Sequence, residues 1–220
     1  MFKFLFNRAI YISVLANLIL SSQTNATPVL AGVADTKFRQ CIEKLMAKHQ
    51  WQTAAQVESI KCHNQEITSA EGIQQFENIK SLSLYKNTIK TIDIKNLKNL
   101  ETLNLAGNRL NRLILSQLPK LQKVYIFKNQ LTKLNFNNLP QLTQLKANDN
   151  QLDSVNLAST PLLTKLYLFN NQLEYLEIKN LPELRYLDVR QNPMPDEFYD
   201  FLDDQSDLTA RHDGNMEDWD

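Results

Sequence analysis

Glycine is scarce in this sequence, at four in 220 residues. A loop that cradles phosphate on its backbone needs several closely spaced glycines, so that kind of nucleotide site is excluded. Histidine is scarcer: His49, His63 and His212 only. No His-x-x-x-His pair, Ser-His-Asp set or paired-carboxylate pocket stands out, so no enzyme, no metal and no cofactor is expected. There are two cysteines, Cys41 and Cys62. His63 follows Cys62, but adjacent strand residues point to opposite faces, which keeps the imidazole from that sulfur. Net charge is also absent, with Lys+Arg and Asp+Glu both 24. Past residue 26 no apolar run is long enough to span a bilayer.

The even balance hides an uneven distribution. Residues 82–194 hold 15 basic and 8 acidic residues, whereas 195–220 hold 1 basic and 10 acidic. The array is only mildly basic beside an acidic end, which together with export argues against a nucleic-acid partner. Residues 1–26 read as a secretory signal peptide: Lys3 and Arg8 precede the apolar run Ala9 to Leu20, and Thr24-Asn-Ala26 offers small residues for cleavage. An uncleaved anchor is the alternative. A secreted or periplasmic location is expected.

What is present in abundance is one repeated phrase. Leu82-Ser-Leu84-Tyr-Lys-Asn87-Thr-Ile89 recurs at Leu103, Val124, Leu145, Leu166 and Leu187, closing with Asn192-Pro-Met194. The asparagines fall at Asn87, Asn108, Asn129, Asn150, Asn171 and Asn192, a period of 21 without slip. Leu-x-Leu alternation is strand periodicity. One such strand cannot bury its apolar side alone, but stacked copies form a parallel sheet over a shared core. The asparagines follow each strand, where their side chains can satisfy orphaned backbone groups of neighbouring turns, so they are read as a buried structural ladder. A second phrase occupies the other half of each unit, as in Ile92, Ile94, Leu97 and Leu100.

This is a leucine-rich repeat pattern. It resembles the bacterial 21-residue class called IRREKO, known for its nested phrases, and is similar to internalin-type repeats of secreted bacterial proteins. The resemblance covers about 135 of the 220 residues. It implies an α/β leucine-rich repeat solenoid, a horseshoe with a parallel concave sheet, a helical N-terminal cap and a short C-terminal cap. The expected divisions are 1–26 signal peptide, 27–80 helical cap and degenerate first repeat, 81–194 six repeats, and 195–220 cap and acidic tail. In the cap, Phe38, Cys41, Ile42, Leu45 and Met46 share one helical face. Thr53 and Gln56 have capping-box spacing. Ile60 and Cys62 take the inward positions of the first repeat, with Gln65 in place of asparagine. Secreted leucine-rich repeat proteins have a similar flank, which implies that Cys41 and Cys62 pair; two cysteines behind a signal peptide are expected to oxidise in an export compartment. Closing that loop would stabilise by roughly 3 kcal/mol. Some bacterial leucine-rich repeat effectors add a carboxy-terminal catalytic domain with an active cysteine; the 26 residues from 195 contain none.

The outward strand positions carry the functional expectation. Lys123-Val-Tyr125-Ile-Phe127 and Lys165-Leu-Tyr167-Leu-Phe169 match two repeats apart, giving two aromatic rungs, with Tyr85 partly forming an earlier one. Strands two apart lie roughly 10 Å apart, so ridges separated by polar grooves are expected, with Lys146 between and Tyr186 beyond. Outward aromatics expose apolar area that marks an interaction site. The alternative is that Tyr and Phe are favourable strand residues copied with the unit. The candidate binding residues are Tyr85, Lys123, Tyr125, Phe127, Lys146, Lys165, Tyr167, Phe169 and Tyr186. They point to a module binding another protein, a host or envelope protein among the candidates, or to glycan stacked on the rungs. At the end of the chain, Phe198, Phe201 and Leu202 are expected to close the last repeat, and residues from Asp203 onward are expected to be loose.

Overall fold

The computed structural model of the protein describes residues 30–136 and 138–214. The signal peptide expected over 1–26 lies outside the described residues, as does 215–220. The first element is helix α1, Thr36–His49. Asp35 caps it, one carboxylate oxygen accepting from the Phe38 N–H at 2.8 Å. The other oxygen accepts from the Thr68 N–H and hydroxyl at 2.8 and 2.7 Å, tying the helix start to the first repeat. Burial pushes this carboxyl upward, but the hydrogen bonds from Thr68, Phe38 and Ser69 outweigh it and hold its pKa below the ordinary value. Lys48 and His49 end the helix, where positive charge suits its dipole. Phe38 and Ile42 are buried, and Cys41, Leu45 and Met46 pack partly buried on the core. A disulfide joins Cys41 to Cys62, with Cα atoms 6.0 Å apart. In the following 3-10 turn, Ala54–Gln56, the Gln56 side chain accepts from the N–H groups of Gln52 and Thr53.

Among the described residues twelve short strands follow in chain order: β1 Ser59–Lys61, β2 Ser81–Ser83, β3 Thr91–Lys95, β4 Thr102–Asn104, β5 Arg112–Ser116, β6 Lys123–Tyr125, β7 Lys133–Asn135, β8 Gln144–Lys146, β9 Ser154–Asn156, β10 Lys165–Tyr167, β11 Tyr186–Asp188 and β12 Thr209–Arg211. Eight of them form one parallel sheet ordered β1-β2-β4-β6-β8-β10-β11-β12, the front of the solenoid. The second phrase of each unit forms the back, where β3 pairs with β5 and β7 with β9. Between front and back the repeat leucines are almost fully excluded from water, including Leu82, Leu103, Leu145, Leu166 and Leu187. No helix among the described residues is long and apolar enough to cross a membrane.

The asparagines form a ladder with one geometry throughout. Asn129 shows it: its Oδ1 accepts from the Leu110 N–H at 2.9 Å, and its Nδ2 donates to the Leu105 and Ile126 carbonyls at 3.1 and 3.0 Å. Each carboxamide therefore bonds the preceding turn and its own. The same contacts recur at Asn108, Asn150, Asn171 and Asn192. Asn87 takes two donors, Gln65 and Ile67. Five of the six are buried; Asn150 is half-exposed. Gln65 does not continue the ladder: it is exposed and bonds its neighbour's carbonyl, His63 O.

To aim each carboxamide inward, the chain turns sharply at the residue before it. Lys86, Lys128, Asp149, Asn170 and Gln191 all take φ near 55–57°, and Gly107 takes 67°. Only one of these positions is glycine. At the others the left-handed conformation costs on the order of 1 kcal/mol, which the ladder bonds offset.

The carboxy-terminal end departs from expectation. Helix α2, Asp196–Asp203, does close the last repeat, but Tyr199 and Leu202 are its buried residues, with Phe198 and Phe201 only partly buried. The Tyr199 hydroxyl donates to the Asn192 carbonyl at 3.1 Å, so the aromatic ring brings its own polar partner into the cap. Beyond it, residues 204–214 are not loose. Strand β12 pairs in parallel with β11, Val189 donating to Arg211 O at 2.8 Å and Thr209 to Arg185 O at 2.9 Å. Backbone pairing holds a segment whose acidic side chains suggest solvent.

Asn129→Ala leaves the Leu110 N–H without a partner inside the solenoid and takes one of two amide donors from the Leu105 and Ile126 carbonyls, which keep those of Asn108 and Asn150. Urea unfolding should show a loss of about 1–3 kcal/mol, and a smaller one for Asn150→Ala, where water can substitute. Equal, negligible losses at both positions would contradict the ladder's role.

Candidate front-face binding surface

Parallel register turns the period of the sequence into rows across the front sheet. Because β6, β8, β10 and β11 pair residue for residue, Tyr125, Lys146, Tyr167 and Asp188 lie side by side. The adjacent row holds Lys123, Gln144, Lys165 and Tyr186. Just beyond the strands, the same phase carries Tyr85, Phe127, Phe169 and Arg190. All nine candidate binding residues thus share one side of the solenoid. Lys123 and Lys165 are exposed, and the aromatics and Lys146 are half-buried.

The rungs are not separated by an open groove as the sequence suggested. Lys146 reaches between them, its ammonium 4.9 Å from the Tyr167 ring centre and 5.8 Å from that of Tyr125. Both distances lie within cation–π range. Nor do the aromatics keep to alternate strands, since the Tyr167 and Tyr186 rings stand 4.9 Å apart. The Tyr125 hydroxyl donates to Gln144 Oε1 at 3.1 Å. Burial raises the pKa of Tyr125. At Tyr167 burial acts first, then Tyr186, Asp188 and Tyr125. Both shifts move the phenols further above neutral pH, where a tyrosine is protonated in any case.

Two features escaped the sequence reading. Asp188 is 2% exposed, and it accepts from Arg190 Nε at 2.9 Å and Arg190 Nη2 at 2.7 Å. This two-pronged bond raises the Arg190 pKa further and sets its guanidinium 5.7 Å from the Phe169 ring centre. The spacing of two along a strand, Asp188 then Arg190, was the available signal. At the other end His63 meets the Tyr85 edge at 5.6 Å and shares a 2.7 Å hydrogen bond with the Ser83 hydroxyl. Burial and Lys61 lower its pKa, keeping it neutral at pH 7. Cys62 beside it is committed to the disulfide, so this pair offers no thiolate. Among the described residues, no group of three His, Cys, Asp or Glu is placed to hold a metal ion.

Residues 99–121 match the family model described as Leucine Rich Repeat. The chain folds as a leucine-rich repeat solenoid. Among solved structures this leucine-rich repeat protein is similar to internalin C2 of Listeria monocytogenes, with a TM-score of 0.55 and 21% identity over 84% of this chain and 96% of that one. It is similar to YopM of Yersinia enterocolitica, with a TM-score of 0.58 and 24% identity over 71% of this chain. It also matches the functional domain of InlJ of Listeria monocytogenes, with a TM-score of 0.36 and 20% identity over 65% of this chain. It spans 32% of the YopM chain and 46% of the InlJ chain, less than half of each. At these identities the likeness is one of fold. No curated protein sequence matches the chain significantly.

The Asp188–Arg190 pair makes a checkable point of the site's rigidity. Asp188→Ala removes the buried acceptor and frees the guanidinium. The loss should be about 1–3 kcal/mol by thermal or urea unfolding, below that of a fully buried pair because Arg190 reaches solvent. A variant as stable as the parent would show that the pair does not order this end of the face.

Proposed function

We propose that this leucine-rich repeat protein is a non-enzymatic binding module that holds another protein on the concave front of its sheet. The observation that carries the reading is the continuous cluster of Tyr125, Lys146, Tyr167, Tyr186, Phe169 and Arg190 on one face. Binding energy in protein interfaces concentrates on tyrosine, tryptophan and arginine anchors in a well-packed patch. Here such anchors are fixed by neighbours rather than free to rotate, which reduces the entropy lost on binding. The disulfide supports an oxidising compartment, which favours the reading of a periplasmic or extracellular module with an envelope or host protein as its partner. Glycan stacking at the rungs is less well supported, because Lys146 lies beside both tyrosine rings and Arg190 beside Phe169, where a sugar would need open ring faces.

A photo-crosslinking benzophenone residue at position 127 tests the face directly. With envelope and secreted protein of the source cell, it should yield a discrete crosslinked protein. The same residue at position 175, where Tyr175 is 66% exposed in the second half of its repeat, should yield none. Crosslinking from 175 alone, or crosslinking from 127 that survives alanine at Tyr125, Tyr167 and Phe169, would place binding elsewhere.

A further inference from the structure

The front face has an imbalance in how its charges are used. Lys86, Lys123, Lys128, Lys146 and Lys165 project from it or from its upper rim, and among the described residues none of them pairs with a carboxylate. The carboxylates on the same side are committed within the protein. Asp188 is held by Arg190. Asp149 accepts from the Asn148 and Asn170 amides, each at 2.8 Å. Asp213 accepts from the Gln191 N–H. Lone pairs on this face are thus turned inward while ammonium groups are left facing outward.

From this we infer that the partner presents an acidic, extended polypeptide segment to the front face, its carboxylates meeting the lysines and its apolar side chains meeting the tyrosine and phenylalanine rings. The inference rests on the reading of this face as a binding surface and names the chemistry of what it binds. Register supports it. Lys123 and Lys165 lie in one row, two strands apart, so roughly 10 Å separates their origins. That is about one Debye length at 0.1 M salt, close enough for both to act on one bound segment. Lys146 stands between them in the neighbouring row, its ammonium over the Tyr125 and Tyr167 rings and paired with no carboxylate among the described residues. A run of glutamates interleaved with aromatic or aliphatic residues matches this alternation of cation and ring. Association of that kind is steered by charge and weakens with salt.

The probe is a fluorescent random copolymer of glutamate and tyrosine, added to the full chain and read by fluorescence anisotropy. Binding should be saturable and weaken as salt rises from 50 to 300 mM. In the variant K123E/K146E/K165E it should weaken by about tenfold or more. K90E/K133E/K179E, the same charge change away from the front sheet, should bind within about twofold of the parent. Lys→Arg at the three front positions should retain binding, and circular dichroism should be unchanged throughout. No binding at 50 mM salt, equal losses in the two charge-reversed variants, or tighter binding of polygalacturonate at matched charge would overturn the acidic-polypeptide assignment. The crosslink from position 127 separates the two claims: its presence with no copolymer binding retains the module and discards the acidic partner.

Discussion

Six successive turns of this solenoid end their front strands at an asparagine whose carboxamide bonds the backbone of its own turn and the one before it. A coil of short strands has few backbone hydrogen bonds per turn, and any group left unpaired inside it costs about 1–3 kcal/mol. The carboxamide is the one short uncharged side chain that both donates twice and accepts, as this position requires. Its placement forces the preceding residue into the left-handed region, even where that residue is lysine or aspartate. One interaction thus accompanies the sharp turn and ties each of these turns to the one before it.

The front face inherits that period. Because no turn slips, residues at equal phase become neighbours across strands, and a pattern dispersed along the sequence becomes a surface. Tyr125, Lys146 and Tyr167 are each separated by 21 residues yet stand side by side in the sheet. At the end of β11, Arg190 lies just past the strand and reaches back two residues to Asp188. The caps work to the same end: α1 is fastened by a disulfide and by Asp35, while α2 and β12 cover the last turn. A surface whose side chains are fixed by neighbours loses little entropy on binding, which suits a protein whose proposed task is recognition.

Most of the fold was legible because its determinants are local and repeated. Leu-x-Leu spacing identified the strands, and asparagine phase identified the ladder; helical periodicity identified the face of α1 that packs on the core. What escaped depended on reach or on the backbone. Strand phase gave the outward direction of Lys146 but not the extent of its four-carbon stem, which fills the gap between rungs. Strand β12 is held by main-chain bonds that any residue can supply, and its side chains break the repeat pattern, so acidic composition misled. In α2 the residue taken inward was decided by the Asn192 carbonyl waiting for a donor, which favoured Tyr199 over Phe198. The His63–Tyr85 contact follows from the spacing of 22 between the first two strands, one longer than in the array, which sets the two side chains at equal phase.

The most direct test of the central claim is native-state hydrogen exchange at the N–H groups that donate to the ladder: Ile89, Leu110, Leu131, Leu152 and Leu173. If the ladder locks neighbouring turns, these amides exchange only through global unfolding and share one free energy of opening. Exchange through separate local openings, several kcal/mol below global stability and differing from turn to turn, would contradict it. The front face would then not be held in register by the asparagines.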